Sequence, residues 1–459
     1  MRITGTHVYT LLRCPHATAL DLHEDRAKRR PVTEVEEFVR QRGRTWEAEV
    51  VEALGYVEPD YPRGAWDEGA SRTAALLRDG VVGVSQGVLL GERRLGIPDL
   101  LRREDGESAF GAFHYVVGDI KSSGRPRSDQ LLQVAFYSRL LAALQQRAPE
   151  YGYLILKDGS EHRFALAEFD AVLEEVEERV VELMEDRSAS APFFGSGCAK
   201  CHWSELCRTE LEAGDDLSLL QGMTRGLRTM LQRAGFDTCA ALRTMVVERA
   251  ARHTHLEPTL LRRLKQAAEA RAAGRPLPQR RSVQLDLRGA AVVHHLYDPF
   301  RERMLYFGAR YPAGDEGAFF GVRPATARDE LRCFLQLVGE LPPRVPLLHY
   351  GEALPRWFAE AVRDEHAVPA GAPALEARFV DLGRRLRGAA VYPGPVFGLG
   401  DHVRYALDAD PERAGAGDAA AMWAERPDGG HWLEAKCRAD LEDLGRLLLE
   451  VCAAAEVAH

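Results

Sequence analysis

Gly96-Ile97-Pro98-Asp99 and, further along, Val116-Val117-Gly118-Asp119-Ile120-Lys121 are the stretches whose reading decides the fold of this chain. Each closes a segment of strand character, Leu95 to Arg102 and Phe113 to Ile120, with Asp105-Gly106 as the turn between them. Val81 to Leu90 reads as a strand before them, so a mixed antiparallel meander is expected. Downstream, Leu131, Leu132, Ala135, Phe136 and Leu140 recur at helical spacing within Ser128 to Gln146, and a short strand follows at Tyr151 to Leu156. A second amphipathic helix, Leu166 to Asp186, leads into a cysteine cluster. The expected class is α/β.

Two acidic groups and a lysine at strand ends can share one metal site. Alternation along Val117, Asp119 and Lys121 puts both charged side chains on one face of the strand end, while Ile120 points into the core. Phosphodiester hydrolysis uses such a set: carboxylates hold a divalent cation, the cation polarises the phosphate and lowers the pKa of its water, and an ammonium orients the nucleophile. An exposed strand terminus with a surface ion pair is the plainer reading of Asp-Ile-Lys by itself.

Length and composition bound the rest. At 459 residues the chain has room for more than one hydrophobic core. Hydrophobic residues are 46% and charged residues 28%, an ordinary globular balance that excludes a collagen-like or wholly disordered chain. The formal net charge of -9 gives no bulk attraction to nucleic acid, so any such contact is local. No apolar run reaches the roughly 20 residues of a membrane helix, and the first residues lack a signal-peptide core, so no membrane partner and a cytoplasmic location are expected. Eight cysteines are too few for a disulfide scaffold in a chain this long, and three of them are clustered. Metal ligation is therefore their first reading.

Pro98-Asp99, Asp119-Ile-Lys121, Gln133-Val-Ala-Phe-Tyr137 and the upstream Gly43-Arg-Thr-Trp-Glu47 together resemble the RecB-like branch of the PD-(D/E)XK nucleases, with the four elements in the family's order. The resemblance implies a restriction-endonuclease-like domain over residues 1–210. It implies Asp99 and Asp119 as ligands of Mg²⁺ or Mn²⁺, Glu47 as a ligand or support, Lys121 orienting the attacking water, and Gln133 positioning substrate or Lys121. Tyr137 is expected either to face DNA or to pack in the core. Glu49 replaces Glu47 if the first-helix register is off by two.

Cys198-Ala-Lys-Cys201-His-Trp-Ser-Glu-Leu-Cys207 spaces three thiols as C-x₂-C-x₅-C, and Cys14 best supplies the fourth. This set resembles the iron–sulfur staple of RecB-like exonucleases, which implies a structural [4Fe–4S] cluster clamping the chain's start to the end of the nuclease fold. Zinc is the alternative, with His16 or His202 able to contribute. Cys239, Cys333, Cys437 and Cys452 are scattered and read as small buried hydrophobes.

Residues 211–281 read as a helical connector. Gly222, Gly226 and Gly235 resemble a helix-hairpin-helix element that aims N–H groups at a phosphate, and an ordinary connector fits them as well. Arg262, Arg263, Lys265, Arg271, Arg275, Arg280 and Arg281 form a basic stretch that reads as a phosphate contact or a solvated face. Residues 282–459 resemble an RNase H-like, DEDD-type exonuclease domain, with a strand-like opening at Ser282 to Leu287, another at Met304 to Ala309, then helices alternating with apolar runs such as Val345 to Tyr350 and Arg378 to Leu382, and a closing helix from Leu441. Its first carboxylate would be Asp286, followed by Arg288 where a second is expected; Asp381 and Asp440 are the later candidates. An arginine among so few carboxylates holds two cations poorly, so a degenerate domain that binds nucleic acid or a partner is expected. The functional expectation is a metal-dependent DNA nuclease acting on single strands or ends in repair or defence. A non-catalytic nucleic-acid-binding or scaffold subunit, working with a partner protein, is the alternative.

Overall fold

The computed structural model describes residues 1–279, 289–313, 317–364, 372–408 and 417–457. Contacts divide the chain into two compact units, one of residues 1–192 and 197–208, the other of 193–196 and 209–459. Among the described residues no helix is long and apolar enough to cross a membrane.

The first unit begins with strand β1 (Ile3–Thr4) and helices α1 (Gly5–Arg13) and α2 (Pro15–His23). Thr4 caps α1, its hydroxyl accepting the His7 N–H at 3.3 Å. Pro15 holds Cys14 in an extended conformation, which ends one helix and starts the next with Cys14 at the joint. Helix α3 (Glu34–Leu54) is opened by a Thr33/Glu36 capping box and closed by Gly55 in the left-handed region at φ 63°. Helix α4 (Trp66–Arg78) precedes the short strands β2 (Gly83–Ser85), β3 (Leu89–Leu90) and β4 (Arg94–Gly96). Strands β5 (Leu100–Ser108) and β6 (Gly111–Ile120), helix α5 (Ser128–Gln145), strands β7 (Tyr151–Ile155) and β8 (Glu161–Ala165), and helix α6 (Asp170–Glu185) complete the α/β body.

The main sheet runs β2-β5-β6-β7-β8, antiparallel except for β6 and β7, which α5 joins as parallel neighbours. Both faces are covered. Leu101, Tyr115, Val117 and Leu154 pack with Leu132, Phe136 and Leu140 of α5, and the alternate residues Leu100, Val116, Ile120 and Tyr153 pack with Trp46 and Val50 of α3.

Three local expectations need correction. The strand expected from Leu95 to Arg102 is broken at Ile97-Pro98-Asp99, and its halves enter different sheets, β4 pairing with β1 and β3 while β5 joins the main sheet. Pro98 lacks the N–H that a ladder requires, so the break falls there and leaves Asp99 at the start of β5. The stretch Val81 to Leu90 likewise splits, at Gln86-Gly87, where Gln86 adopts φ 51°. The hairpin turn lies at Ala109-Phe110 rather than Asp105-Gly106, with Gly106 (φ 135°) absorbing a register shift between Asp105 and Ser108.

In the second unit, helices Arg225–Arg233, Cys239–Thr244, Val247–Thr254 and Pro258–Ala273 pack around Leu217, Leu231, Leu242, Leu261 and Leu264. Part of the basic stretch is engaged internally: Arg262 pairs with Glu248 at 3.7 Å, Arg271 with Asp215 at 4.0 Å, and Lys265 donates to the Met245 carbonyl. Arg280 and Arg281 lie outside the described residues.

A five-stranded sheet follows in the order Ala318–Val322, Arg303–Tyr311, Ala291–Asp298, Leu347–His349, Phe379–Asp381. The first three are antiparallel and the last two lie parallel to the central one. Leu433, Cys437, Leu441 and Leu444 of helix Gly429–Val457 cover one face, and Phe334 and Phe358 of helices Glu330–Gly339 and Ala353–Asp364 the other. The closing helix begins at Gly429 rather than Leu441. The expected opening strand Ser282 to Leu287, with Asp286, lies outside the described residues, and the first described strand of this sheet, Ala291–Asp298, carries His294 and His295. Cys239, Cys333 and Cys437 are buried.

Candidate active site

Asp99 is placed by the strand break at Pro98 and then held by three hydrogen bonds. Its Oδ2 accepts the Ile120 N–H at 2.8 Å, its Oδ1 accepts from Gln86 Nε2 at 3.1 Å, and its carbonyl accepts the Gln86 N–H at 3.1 Å. Asp119, 2% exposed, forms an ion pair through Oδ2 with the Lys121 ammonium. Glu47 reaches the same cluster from α3, its Oε1 accepting from Gln86 Nε2 at 2.6 Å. Glu49 is exposed, so the helix register brings Glu47 and not its fallback to the site.

The residues on α5 form a relay behind Lys121. Lys121 Nζ donates to Gln133 Oε1 at 3.5 Å, and Gln133 Nε2 donates to Tyr137 Oη at 3.0 Å. Tyr137 is 6% exposed and lies against the backbone of Gly5 and Gly96, where an added Cβ would collide with its Oη and stand 2.7 Å from its Cδ1 respectively. It is a packed core residue that touches the site through Gln133.

Burial and the Asp119 charge push the Asp99 carboxyl well above the usual carboxylate range. Glu47 is raised by burial and then by Asp119, with Lys121 and the Gln86 hydrogen bond working the other way. Burial opposes the Lys121 charge, but Asp119 and Asp99 outweigh it and raise the ammonium. Glu47 and Asp99, both raised by burial and then by the Asp119 charge, form with Asp119 a hard-oxygen donor set, the chemistry that suits Mg²⁺ or Mn²⁺. Among the described residues no three or more His, Cys, Asp or Glu side chains already converge in metal-holding geometry. The fit is one of donor type and mutual repulsion, and the carboxylates rest meanwhile on Gln86, Lys121 and one another.

Gln86 is the residue that sequence reading missed. Its amide joins Glu47 to Asp99, and its left-handed backbone is unusual for a residue other than glycine. The only sequence signal was a Gln-Gly pair interrupting a strand pattern.

Three of the four cysteines gather around Trp203, which is fully buried. Cys14, Cys201 and Cys207 pack with Ala17, Leu20 and Trp203, and the Cys201 N–H donates to the Cys198 carbonyl at 3.1 Å. No disulfide joins them. Burial, then the neighbouring Cys14 and Cys198, push the Cys201 thiol up. Trp203 Nε1 donates to Asp21 at 2.7 Å, and Asp21 also pairs with Arg29 at 2.5 Å. Of the two histidines offered for zinc, His202 Nε2 lies 3.4 Å from Asp21 and His16 Nδ1 lies 3.1 Å from Ser190. Among the described residues the thiols do not stand in metal-holding geometry, and only their donor type suits an iron–sulfur cluster or a Cys₄ zinc.

In the second unit Asp440, 1% exposed, is held by Lys436 and by His294 Nε2 at 3.1 Å. Asp381 stands at the end of its strand opposite His349 and accepts the Gly351 N–H at 3.2 Å. Each carboxylate is tied to its own partners.

No curated protein matches this chain. The family model described as the PD-(D/E)XK nuclease superfamily matches residues 11–208, a span that contains Glu47, Asp99, Asp119, Lys121, Gln133 and all four clustered cysteines. Residues 11–208 form a PD-(D/E)XK nuclease superfamily domain.

Proposed function

We propose that the first unit is a metal-dependent deoxyribonuclease of the RecB-like kind, hydrolysing phosphodiester bonds of single-stranded DNA or DNA ends in repair or defence. The observation that carries this reading is the meeting of Glu47, Asp99 and Asp119 on one Gln86 and one Lys121. Glu47, Asp99 and Asp119 would hold Mg²⁺ or Mn²⁺, which when bound supplies charge for the phosphate and acidifies a water. Lys121, kept charged by its aspartates and aimed by Gln133, orients that water for in-line attack. Gln86 keeps Glu47 and Asp99 from moving apart under their own repulsion.

The four cysteines are read as ligands of a structural [4Fe–4S] cluster, with zinc as the alternative. The second unit is read as an RNase H-like domain that no longer cuts. Its strand order, third-second-first-fourth-fifth with the second antiparallel, supports that fold, and the engagement of Asp440 by Lys436 and His294 supports the loss of cleavage. Such a domain would bind nucleic acid or a partner protein.

The test is degradation of end-labelled single-stranded and duplex DNA by anaerobically purified protein, with Mg²⁺ or Mn²⁺ against EDTA, alongside Asp119→Ala. Metal-dependent cutting lost in the variant is the expected result. DNA binding without cutting by wild type would favour the non-catalytic subunit.

A further inference from the structure

Beside the carboxylates lies a pocket of about 490 Å³ lined by Glu58, Pro59, Asp60, Tyr61, Arg63, Trp66, Gln86 and Ile97. It adjoins the candidate active site directly: Gln86 donates to Glu47 and Asp99, and Ile97 stands two residues before Asp99. Its far wall is an aromatic pair, Tyr61 and Trp66, with ring centroids 6.3 Å apart at 60°.

The wall is built to stay in place. The chain that carries it is anchored at Val57, whose N–H donates to the Gly83 carbonyl at 3.1 Å and whose carbonyl accepts the Ser85 N–H at 3.0 Å. Gly64 turns the chain at φ 89°, and Trp66 is the first residue of α4. The Tyr61 ring lies on Gly69, where a Cβ would approach within 2.9 Å of it. Both rings are half-buried. Neither the Trp66 indole N–H nor the Tyr61 hydroxyl has a hydrogen-bond partner among the described residues, and the exposed Arg63 has no ion pair there.

We propose that this pocket receives an unpaired nucleobase of the strand whose phosphate meets the carboxylate cluster, stacked on Trp66 and Tyr61. The proposal rests on the phosphodiester reading of the adjoining site and names its substrate as single-stranded. Aromatic faces bind bases of any identity by stacking, and a base inside a duplex has no free face to offer. The carboxylates of Glu58 and Asp60 repel phosphate from the pocket itself, while Arg63 offers the flanking phosphate a cation. Unpartnered N–H, O–H and guanidinium groups supply donors for base edges and backbone.

The experiment measures binding of labelled oligo(dT), an equally long oligonucleotide with abasic sites, and a blunt-ended hairpin duplex to the full chain in EDTA, where no hydrolysis occurs. Trp66→Ala and Tyr61→Ala should each weaken oligo(dT) binding about tenfold and leave the abasic strand unchanged. Trp66→Phe, which keeps a ring, should retain most of the affinity and guards against a folding defect, checked by thermal unfolding. Equal losses for oligo(dT) and the abasic strand, or no loss with well-folded variants, would overturn the pocket assignment. So would wild-type binding of the hairpin as tightly as oligo(dT). Cleavage in Mg²⁺ is scored separately. Base-dependent binding without cleavage by wild type removes the nuclease and keeps the pocket, whereas cleavage with affinity indifferent to Trp66 does the reverse.

Discussion

The Asp99 carboxylate accepts the backbone N–H of Ile120 at 2.8 Å, so the residue after the Pro98 break is fastened to the strand that carries Asp119. Two carboxylates from adjacent strands are thereby kept close by a backbone bond that neither side chain can slip. Burial, and then the Asp119 charge held so close, raise the proton affinity of Asp99.

Asp99→Asn should stabilise the metal-free protein near neutral pH while abolishing cleavage. A carboxyl raised on folding costs stability as pH climbs from its unfolded pKa of about 3.9 toward the folded value, because the native state holds the proton that the unfolded state has lost. The gap between variant and wild type should therefore open with rising pH, to roughly 1 kcal/mol or more. Urea unfolding in EDTA at several pH values measures it. Added Mg²⁺ or Mn²⁺ should stabilise wild type by about 2.7 kcal/mol at a hundredfold excess over Kd and leave the variant unmoved.

Gln86→Leu should lower metal-dependent cleavage by about ten- to a hundredfold, since the amide that spans Glu47 and Asp99 orients both groups. A weakened apparent metal affinity, read from the Mg²⁺ or Mn²⁺ concentration giving half-maximal cleavage, should accompany the loss. Unchanged kinetics would mean that the carboxylates hold themselves.

Cys201→Ser should release bound metal and lower the stability of the first unit by roughly 3 kcal/mol or more, because ligand binding there is coupled to folding. Iron and acid-labile sulfide assays, with zinc determined in parallel, identify the group. A variant as stable as wild type would refute the staple role of the sulfur set around Trp203.

His402 is fully buried between Tyr392 and Tyr350, at 4.7 and 5.8 Å between centroids, with neither ring nitrogen hydrogen-bonded among the described residues. Burial, then Arg387, lower it to about 3. A histidine depressed on folding contributes fully above its unfolded pKa of about 6.5, and the contribution is lost as pH falls toward the folded value. At pH 5 this amounts to roughly 2 kcal/mol. His295, likewise lowered to about 3, acts in the same direction. His402→Phe should flatten the acid limb of the unfolding profile and hold or raise stability at pH 7, as measured by denaturant unfolding across pH 4 to 8.

Residue order alone carried the strand ends that bear Asp99, Asp119 and Lys121, the helix with Gln133, and the cysteine spacing, because period and motif are properties of neighbours along the chain. Chain order also separated Glu47 from Glu49 only as a choice of register, whereas α3, packing Val50 into the core, turns Glu49 outward and brings Glu47 to Gln86. Two strands were illegible for a local reason: β8 is an edge with its alternate residues exposed, and Ala291–Asp298 has histidines where a strand pattern expects apolar residues. What only the tertiary structure decided is which distant groups share a neighbourhood. Gln86 meets Glu47 across 39 residues of chain, Tyr137 sinks against Gly5 and Gly96, and Tyr61 and Trp66 come to stand beside Asp99's strand end. Such meetings depend on how helices close over a sheet, and no spacing within one segment records them.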